Sequence, residues 1–324
     1  MMPRHQERGA ALLTVLMLVA VIATLAATTL DRLTVATRLA ANTGIAAQGR
    51  QWLGLAEQLA AVRLQDLAAA DAVRTLGGPW LGQVREIRLP DGGTLRAEIR
   101  DGGNCFNLNA LARSQIDGTT VADVAAVQQF SQLLVLLGVD GSRAASISSA
   151  AADWVDSDLV PLPAGTEQAR ADSAWPPANA PFADVAELGA VGGVTPDLLG
   201  LVSPFLCALP EAGPQAINPN TLLPEQAPLL SMLAPQQLSL GAARALIAGR
   251  PAGGYESSVA FWQASGIAAD AIPPAGAEQV RLKSRWFELR AEVGNDGQSL
   301  SSTTLLDLRE TGARIVRRRY GDWR

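Results

Sequence analysis

Hydrophobic and polar positions divide the first part of the chain sharply. A basic and polar stretch ends at Gly9, and the next 21 residues, from Ala10 to Leu30, carry no charge. The uncharged run stops at Asp31 and Arg32. With a rise of about 1.5 Å per residue, a helix over this run spans roughly 30 Å, the thickness of the hydrocarbon core of a bilayer. The pattern therefore predicts a membrane-spanning helix over 10–30.

A helical pattern of apolar positions continues beyond this segment. No proline occurs between Asp31 and Leu76. Apolar residues recur at steps of three or four positions, namely Trp52, Leu55, Leu59 and Val62. Such spacing places them on one face of a helix. We therefore predict one helix from Ala10 to about Ala70, whose second half needs other elements to cover this apolar stripe.

Alternating apolar and polar positions, which are typical of strands, occur in two distant regions. Residues 84–99 predict two short strands around the turn Asp91-Gly92-Gly93, and residues 281–320 predict three more. Because either region alone is too small for a stable sheet, we predict one antiparallel sheet packed on the long helix. The intervening residues, about 165 in number, show helical periods interrupted by proline and glycine. They predict an inserted α-helical domain.

The N-terminal apolar segment allows three interpretations. A cleaved secretory signal would use the small residues between Ala23 and Ala27, although its apolar core would be longer than usual. A plain membrane anchor fits the length, and the basic residues before it would stay in the cytoplasm. Neither interpretation explains why the basic stretch ends in a glycine directly before the apolar run. The third interpretation, a prepilin-type leader, explains that junction.

Glu7-Arg8-Gly9 and the uncharged run after it resemble the leader of type IV prepilins and pseudopilins. The resemblance implies that a prepilin peptidase in the membrane cuts after Gly9 and that Ala10 becomes the methylated first residue. Most members of this class carry a glutamate at the fifth mature position, where this chain has Thr14. That carboxylate is thought to pair with the N-terminal amine of the preceding subunit. The resemblance therefore implies that this subunit begins the fibre.

Motifs along the rest of the chain resemble those of the general secretion pathway protein K family, in the same order. They are Asp101-Gly102, Asn107-Leu108-Asn109, Asp153-Trp154-Val155-Asp156-Ser157-Asp158, Gly165 with Glu167, Asn179 with Pro181, Glu187-Leu188 and Ile217-Asn218-Pro219-Asn220-Thr221. The resemblance implies a minor pseudopilin of the type II secretion system that supports protein export across the outer membrane. In this family the subunit forms the tip of a periplasmic pseudopilus with minor pseudopilins of types I and J, with type H as a further candidate partner, and helps to start assembly.

The patterns and the resemblance together predict an α+β, pilin-like fold with a large inserted all-α domain. The expected segments are a leader over 1–9, a transmembrane helix over 10–30, the first part of the pilin-like domain over 31–110, the inserted domain over 111–277 and C-terminal strands over 278–324. The resemblance also implies a Gram-negative inner-membrane protein with a cytoplasmic N-terminus and a periplasmic C-terminal domain.

Acidic residues cluster in the middle of the inserted domain, at Asp153, Asp156, Asp158, Glu167 and Asp172. Several carboxylates in one turn-rich loop suit Ca²⁺, which accepts six to eight oxygen ligands in loose geometry. The alternative is a helix end with solvated carboxylates. The resemblance implies one or two Ca²⁺ ions in this domain, although Gln168 stands where relatives often have another acid.

The chain contains two cysteines, Cys105 and Cys207. In an oxidising periplasm they would pair and fasten the inserted domain to the sheet. The alternative is two buried thiols, which the sequence leaves open.

Residues 217–267 resemble a helix-hairpin-helix unit of the SAM-like kind, with the hairpin near Ala234-Pro235-Gln236-Gln237. In DNA-binding versions, a Gly-hydrophobic-Gly hairpin lets backbone amides approach phosphate, and this hairpin has no such glycines. The formal net charge of -5 also argues against a nucleic-acid partner. The alternative function that this segment keeps open is a minor pilin of a type IV or DNA-uptake pilus, with the hairpin contacting DNA.

Three consecutive arginines, Arg317 to Arg319, lie in the last predicted strand. They would either contact an acidic partner or form the solvated side of an edge strand, where charge discourages pairing with foreign strands. The second interpretation is our expectation.

The sequence lacks the patterns of an enzyme. Its one histidine, His5, lies in the predicted leader, and neither a nucleophile motif nor a phosphate-binding loop is found. We expect a structural protein with no catalytic activity and no small-molecule substrate.

Overall fold

The computed structural model describes residues 6–69, 81–158, 160–163, 165, 178–295, 297–309 and 312–321. Its α-helices are α1 Gln6–Ala69, α2 Val124–Leu136, α3 Gly141–Val155, α4 Pro196–Val202, α5 Ala227–Ser231, α6 Leu240–Ala248, α7 Ser258–Ala264 and α8 Pro274–Gln279. Its strands are β1 Arg85–Arg88, β2 Thr94–Asp101, β3 Phe106–Asn107, β4 Ala112–Ser114, β5 Thr120–Ala122, β6 Leu206–Cys207, β7 Trp286–Asn295, β8 Gln298–Arg309 and β9 Gly312–Tyr320.

The predicted helix and sheet are confirmed. Helix α1 runs without interruption for 64 residues. Five antiparallel strands form one sheet in the order β1-β2-β7-β8-β9. In the first hairpin Gly92 has φ +88°, which favours glycine, and lies in the predicted turn between β1 and β2. Since β2 pairs with β7, with Asp101 opposite Phe287, the inserted domain leaves and rejoins the sheet at neighbouring positions.

The face of α1 that meets the sheet differs from the predicted one. The residues of α1 buried against the sheet are Leu53, Ala56, Ala60 and Leu64. Of the predicted stripe, Trp52 is half-buried and packs against this core, whereas Leu55, Leu59 and Val62 are exposed. Both sets recur at helical spacing, so periodicity alone could not separate them. Alanines are suited to the buried face because their small side chains let the backbone of α1 approach the strands closely.

The inserted domain has its own hydrophobic core. Buried residues from Phe106 to Val280 form it, and it is separate from the core between α1 and the sheet. It is mainly helical, as predicted, and contains α2 to α8, although no helix was predicted at α8. Two small two-stranded sheets, β3-β6 and β4-β5, were not predicted, because strands of two or three residues are too short to leave an alternating pattern. The core of the inserted domain begins at Phe106, five residues before the predicted domain boundary at 111.

Candidate functional site: the assembly helix and the domain junction

Helix α1 begins before the predicted cleavage site and carries its backbone through Gly9 and Ala10. Among the described residues it is the one helix that is long and apolar enough to cross a membrane, and the most apolar part of it is exposed. Thr14 lies in this part, and its hydroxyl donates a hydrogen bond to the carbonyl oxygen of Ala11 at 2.9 Å. This bond lies within the helix. Since a hydroxyl is neutral, Thr14 offers no negative charge to an N-terminal amine.

An apolar stripe continues on α1 beyond the predicted membrane segment. The side chains of Leu55, Leu59 and Val62 are 50%, 39% and 50% exposed. They point away from the sheet, which packs on the opposite face. Exposed apolar residues in a row on a helix mark a surface that another protein can cover.

The structure brings two of the predicted acidic residues together at the end of α3. Asp153 and Asp156 are 0% and 1% exposed, so the interpretation of a solvated helix end is wrong for both. The backbone N–H of Leu162 donates to Asp153 Oδ1 at 3.1 Å. A Cβ on Gly165 would come within 1.8 Å of Asp153 Oδ2, so the chain passes directly over this carboxylate and only glycine fits.

Asp158 lies just outside this pair, where its Oδ1 accepts a hydrogen bond from Val160 N at 2.7 Å. Glu167 and Asp172 lie outside the described residues. Within the described part of the chain, no group of three or more His, Cys, Asp or Glu is placed to hold a metal. Two buried carboxylates one turn apart supply hard oxygen donors suited to Ca²⁺. A complete site would need further oxygen ligands.

The carboxylate of Asp101, a half-buried residue, holds the inserted domain to the end of β2. Asp101 accepts hydrogen bonds from the backbone N–H of Gly103 at 2.8 Å and from the hydroxyls of Thr221, at 2.6 Å, and Ser284. Burial raises the pKa of Asp101, and the bonds from Ser284 and Thr221 partly offset that rise. Asn218 extends the network, because its Nδ2 donates to Ser284 Oγ at 2.9 Å.

The asparagine motifs tie distant loops together. Asn107 Oδ1 accepts from Leu209 N at 3.0 Å. Asn109 exchanges hydrogen bonds with the backbone of Phe182, at 2.7 and 3.0 Å. Asn220 does the same with the backbone of Tyr255, at 2.7 and 3.0 Å. All three side chains are buried. Each therefore satisfies backbone groups that would otherwise be costly to bury.

Cys105 and Cys207 form a disulfide in the structure, with their Cα atoms 5.7 Å apart. Cys207 ends β6 and packs against a small cluster of Leu209, Trp286 and Leu305. Trp286 and Leu305 belong to the five-stranded sheet, whereas Leu209 belongs to the inserted domain. The bridge therefore lies next to the apolar contact between the two parts of the protein.

Strand β9 is an edge strand, as expected, and Arg318 and Arg319 are exposed, but the three arginines also make contacts within the protein. Arg317 donates to the carbonyl oxygens of Ala183 and Ala208, the latter at 3.2 Å. Arg319 pairs with Asp184. Arg318 pairs with Glu57 on α1, with Nε 2.5 Å from Oε1. The edge strand thus contacts both the long helix and the inserted domain.

Glu57 is 1% exposed and also accepts a hydrogen bond from Thr304 Oγ1 at 2.7 Å. Its bonds to Arg318 raise the pKa of that guanidinium. The sequence pattern did not indicate Glu57, because one glutamate on a long helix is usually solvated. The one feature of the sequence that could have indicated its burial is its position among Leu53, Ala56 and Ala60, on the alanine-rich face of α1.

We expect Arg318→Met to lower the free energy of unfolding by about 3 kcal/mol, because it leaves the Glu57 carboxylate buried without its cation. The matched control is Arg319→Met. This arginine is more exposed, and its ion pair is worth less than about 1 kcal/mol. Calorimetry of the purified full-length chain in detergent measures both. Equal effects of the two substitutions would contradict the prediction.

The helix-hairpin-helix-like part contains α5 and α6, joined by residues 232–239. These joining residues include no basic side chain. Arg250 lies after α6, and its guanidinium donates to the carbonyl oxygens of Pro219 and Leu222, at 2.7 and 3.1 Å. This arginine therefore contributes to packing within the unit.

Two family models described as "Type II secretion system (T2SS), protein K" match residues 104–211 and 217–282. Similar proteins include type II secretion system protein K of Pectobacterium carotovorum subsp. carotovorum, 32% identical over 99% of this chain and 98% of the relative. That of Klebsiella pneumoniae is 36% identical over 79% of each chain. The protein of Escherichia coli K12, named putative type II secretion system protein K, is 32% identical over 97% of this chain and 98% of its own.

A solved structure is also similar to this chain. It is the crystal structure of the GspK-GspI-GspJ complex from the type 2 secretion system of enterotoxigenic Escherichia coli. The TM-score is 0.73 at 28% sequence identity, and the match covers 85% of this chain and 96% of that chain. Both the fold and the sequence are therefore similar to those of known proteins over most of the length.

Proposed function

Because this chain belongs to the family of type II secretion system protein K and is a minor pseudopilin, we propose that it forms the tip of a periplasmic pseudopilus with minor pseudopilins of types I and J. The observation that carries this proposal is the exposed apolar face of α1, which extends past the membrane segment to Leu55, Leu59 and Val62. Such a face is suited to packing against the helices of other subunits.

The inserted domain supports a place at the end of the fibre. It emerges between β2 and β7 and has a core larger than that of the sheet and helix. A domain of this size would collide with neighbours along a closely packed fibre, but it has room at the tip. Thr14 agrees with this position, since its hydroxyl cannot replace the carboxylate that links a subunit to one ahead of it.

The same proposal includes processing and location. A prepilin peptidase cuts after Gly9 and methylates Ala10, while the apolar part of α1 holds the chain in the inner membrane. The basic residues before the run keep the N-terminus in the cytoplasm, and the sheet and inserted domain lie in the periplasm. A disulfide between Cys105 and Cys207 fits that oxidising compartment.

The proposed assembly surface predicts the effect of a charge on α1. We expect Leu59→Asp to abolish co-purification with pseudopilins I and J when the three full-length proteins are co-expressed and extracted in detergent. A carboxylate there would have to be desolvated without a partner. The control is Val259→Asp. Val259 is 62% exposed and lies on α7 in the inserted domain, outside the proposed assembly surface. If the Leu59 variant still co-purified with pseudopilins I and J, this face of α1 would not be the assembly surface.

Ca²⁺ binding belongs to the proposal as well. The buried carboxylates of Asp153 and Asp156, with Asp158, Glu167 and Asp172 as further candidates, would hold one or two ions and fix the loop after α3. A bound cation would offset the cost of burying like charges one turn apart.

We expect Ca²⁺ at one hundred times its dissociation constant to stabilise the full-length chain by about 2.7 kcal/mol, and EGTA to reverse the effect. Asp153→Asn should lose this response, whereas Asp197→Asn, an exposed site in α4, should keep it. Thermal unfolding and titration calorimetry measure the response. An unchanged melting temperature with Ca²⁺ and EGTA would exclude the site.

A further inference from the structure

A groove with an unusual lining crosses the inserted domain. It lies between the first two turns of α2, the hairpin residues after α5 and the helix α8, and has a volume of about 700 Å³. Pockets that bind ligands in proteins fall in this size range. The groove is separate from the acidic loop, the disulfide and the assembly surface on α1.

The lining of the groove combines apolar surface with several amide side chains. Six glutamines line it, at positions 128, 129, 132, 236, 237 and 279. Among the lining residues that the structure describes, Asp123 is the one with a charge, and its carboxylate caps α2 by accepting a hydrogen bond from Ala126 N at 3.1 Å. None of these lining residues is aromatic. The chemistry therefore disfavours ions, which need opposite charge, and sugars or bases, which stack on aromatic rings.

The base of the groove is fixed. Gln279 is 7% exposed, and its Oε1 accepts from Gln129 Nε2 at 3.1 Å, while the reverse bond measures 3.4 Å. Gly276 packs against the carbonyl oxygen of Leu233, where a Cβ would come within 2.3 Å. The helix α8 and the hairpin are thus in direct backbone contact, and the groove does not depend on flexible elements.

The rim offers amides to solvent. Gln128, Gln132, Gln236 and Gln237 are exposed. Each amide has both donors and an acceptor, as a peptide bond has. Gln128 and Gln132 are one helical turn apart, about 5–6 Å between Cβ atoms, which is close to the two-residue repeat of an extended chain, about 6.6 Å.

We propose that this groove binds an extended, uncharged segment of another polypeptide, with the rim glutamines bonding to its main chain. Met232, Leu233 and the alanines of α2 provide the apolar floor for small side chains of the bound segment. The near absence of charge selects against acidic and basic sequences, because a buried charge would find no partner there. This activity is independent of assembly with other pseudopilins.

The test measures fluorescence anisotropy of the full-length chain in detergent with a fluorescein-labelled pool of charge-free dodecapeptides made of Ser, Thr, Asn, Gly, Val and Leu. We expect saturable binding that weakens about tenfold or more in the double variant Gln132→Glu/Gln236→Glu, which loses two amide donors and gains two charges. The control variant is Gln263→Glu on α7, outside the groove, which should bind like the unaltered chain. Both substituted rim residues are exposed, so the fold should be retained.

Competition identifies the ligand class. Lysine-rich and aspartate-rich peptides should compete about tenfold less well than neutral peptides. Three outcomes would overturn the proposal: no binding of neutral peptides, equal binding by the double variant, or stronger displacement by an N-acetylglucosamine hexasaccharide, which would indicate a glycan site.

Discussion

Replacing Gly9 by valine is expected to abolish secretion through the system that contains this protein. The uncut chain would keep Arg4, Glu7 and Arg8 before the apolar run. These charges would have to enter the apolar interior of the membrane or the fibre when the helix packs with its neighbours, at a cost of several kcal/mol. Export of secreted proteins into the medium should fall to the level of a strain that lacks the chain.

Thr14→Val is the matched control for this experiment. Since the Thr14 hydroxyl bonds only within its own helix, its loss should leave export unchanged. Intact mass and peptide sequencing of protein from membranes report the processing step directly. A methylated Ala10 at the N-terminus would establish prepilin-type cleavage. Unaffected export by the Gly9 variant, or a mature chain that starts beyond Ala23, would refute the fibre model.

The second large effect concerns the disulfide. We expect the double variant Cys105→Ser/Cys207→Ser to lose about 4 to 5 kcal/mol of unfolding free energy, because the bridge closes a loop between residues 102 positions apart. The loss should fall on both parts of the protein, since Cys207 packs against the cluster that joins them. Denaturant unfolding of the oxidised full-length chain in detergent measures it.

Reduction provides an internal control for the cysteine variant. Dithiothreitol should destabilise the unaltered chain by the same amount and leave the serine variant unchanged. Mass spectrometry of non-reduced material should find no free thiol. Two free thiols in periplasmic protein would contradict the bridge, and the variant would then be expected to unfold like the unaltered chain.

Long-range periodicity made the architecture predictable. The uncharged run before Asp31 and the absence of proline up to Leu76 predicted one long helix, and the paired strand regions predicted one sheet around an inserted domain. These features repeat over many residues, so local exceptions do not hide them. The turn at Gly92 was predictable because few residues adopt its backbone conformation.

Choices between equivalent faces were not predictable. Leu55 and Leu53 both lie on plausible apolar stripes of α1, and only the shape of the sheet decides which is buried. The same holds for Glu57 and Arg318, which are 261 positions apart and meet only in the folded chain. The pairing of such groups depends on tertiary contacts that the local sequence does not encode.

The candidate sites were predictable in part. The acidic positions Asp153 and Asp156 both lie at the end of α3, but their burial and the close passage of Gly165 came only from the structure. The sequence showed the asparagine motifs but not what their side chains do. A hydrogen bond such as that between Asn109 and Phe182 joins residues 73 positions apart and forms only in the folded chain. The glutamine-lined groove has no sequence signature, since its lining comes from separate segments.

The inserted domain occupies the position of a turn between two paired strands. Asp101 and Phe287 face each other on adjacent strands, so β2 and β7 would form an ordinary hairpin if a short turn replaced the residues between them. The entropy of closing a loop grows only slowly with its length, and folded domains whose ends lie close together are accepted at such turns. The architecture is therefore that of a helix-and-sheet unit with a second domain inserted at a hairpin, and the strand register on both sides of the insertion is intact.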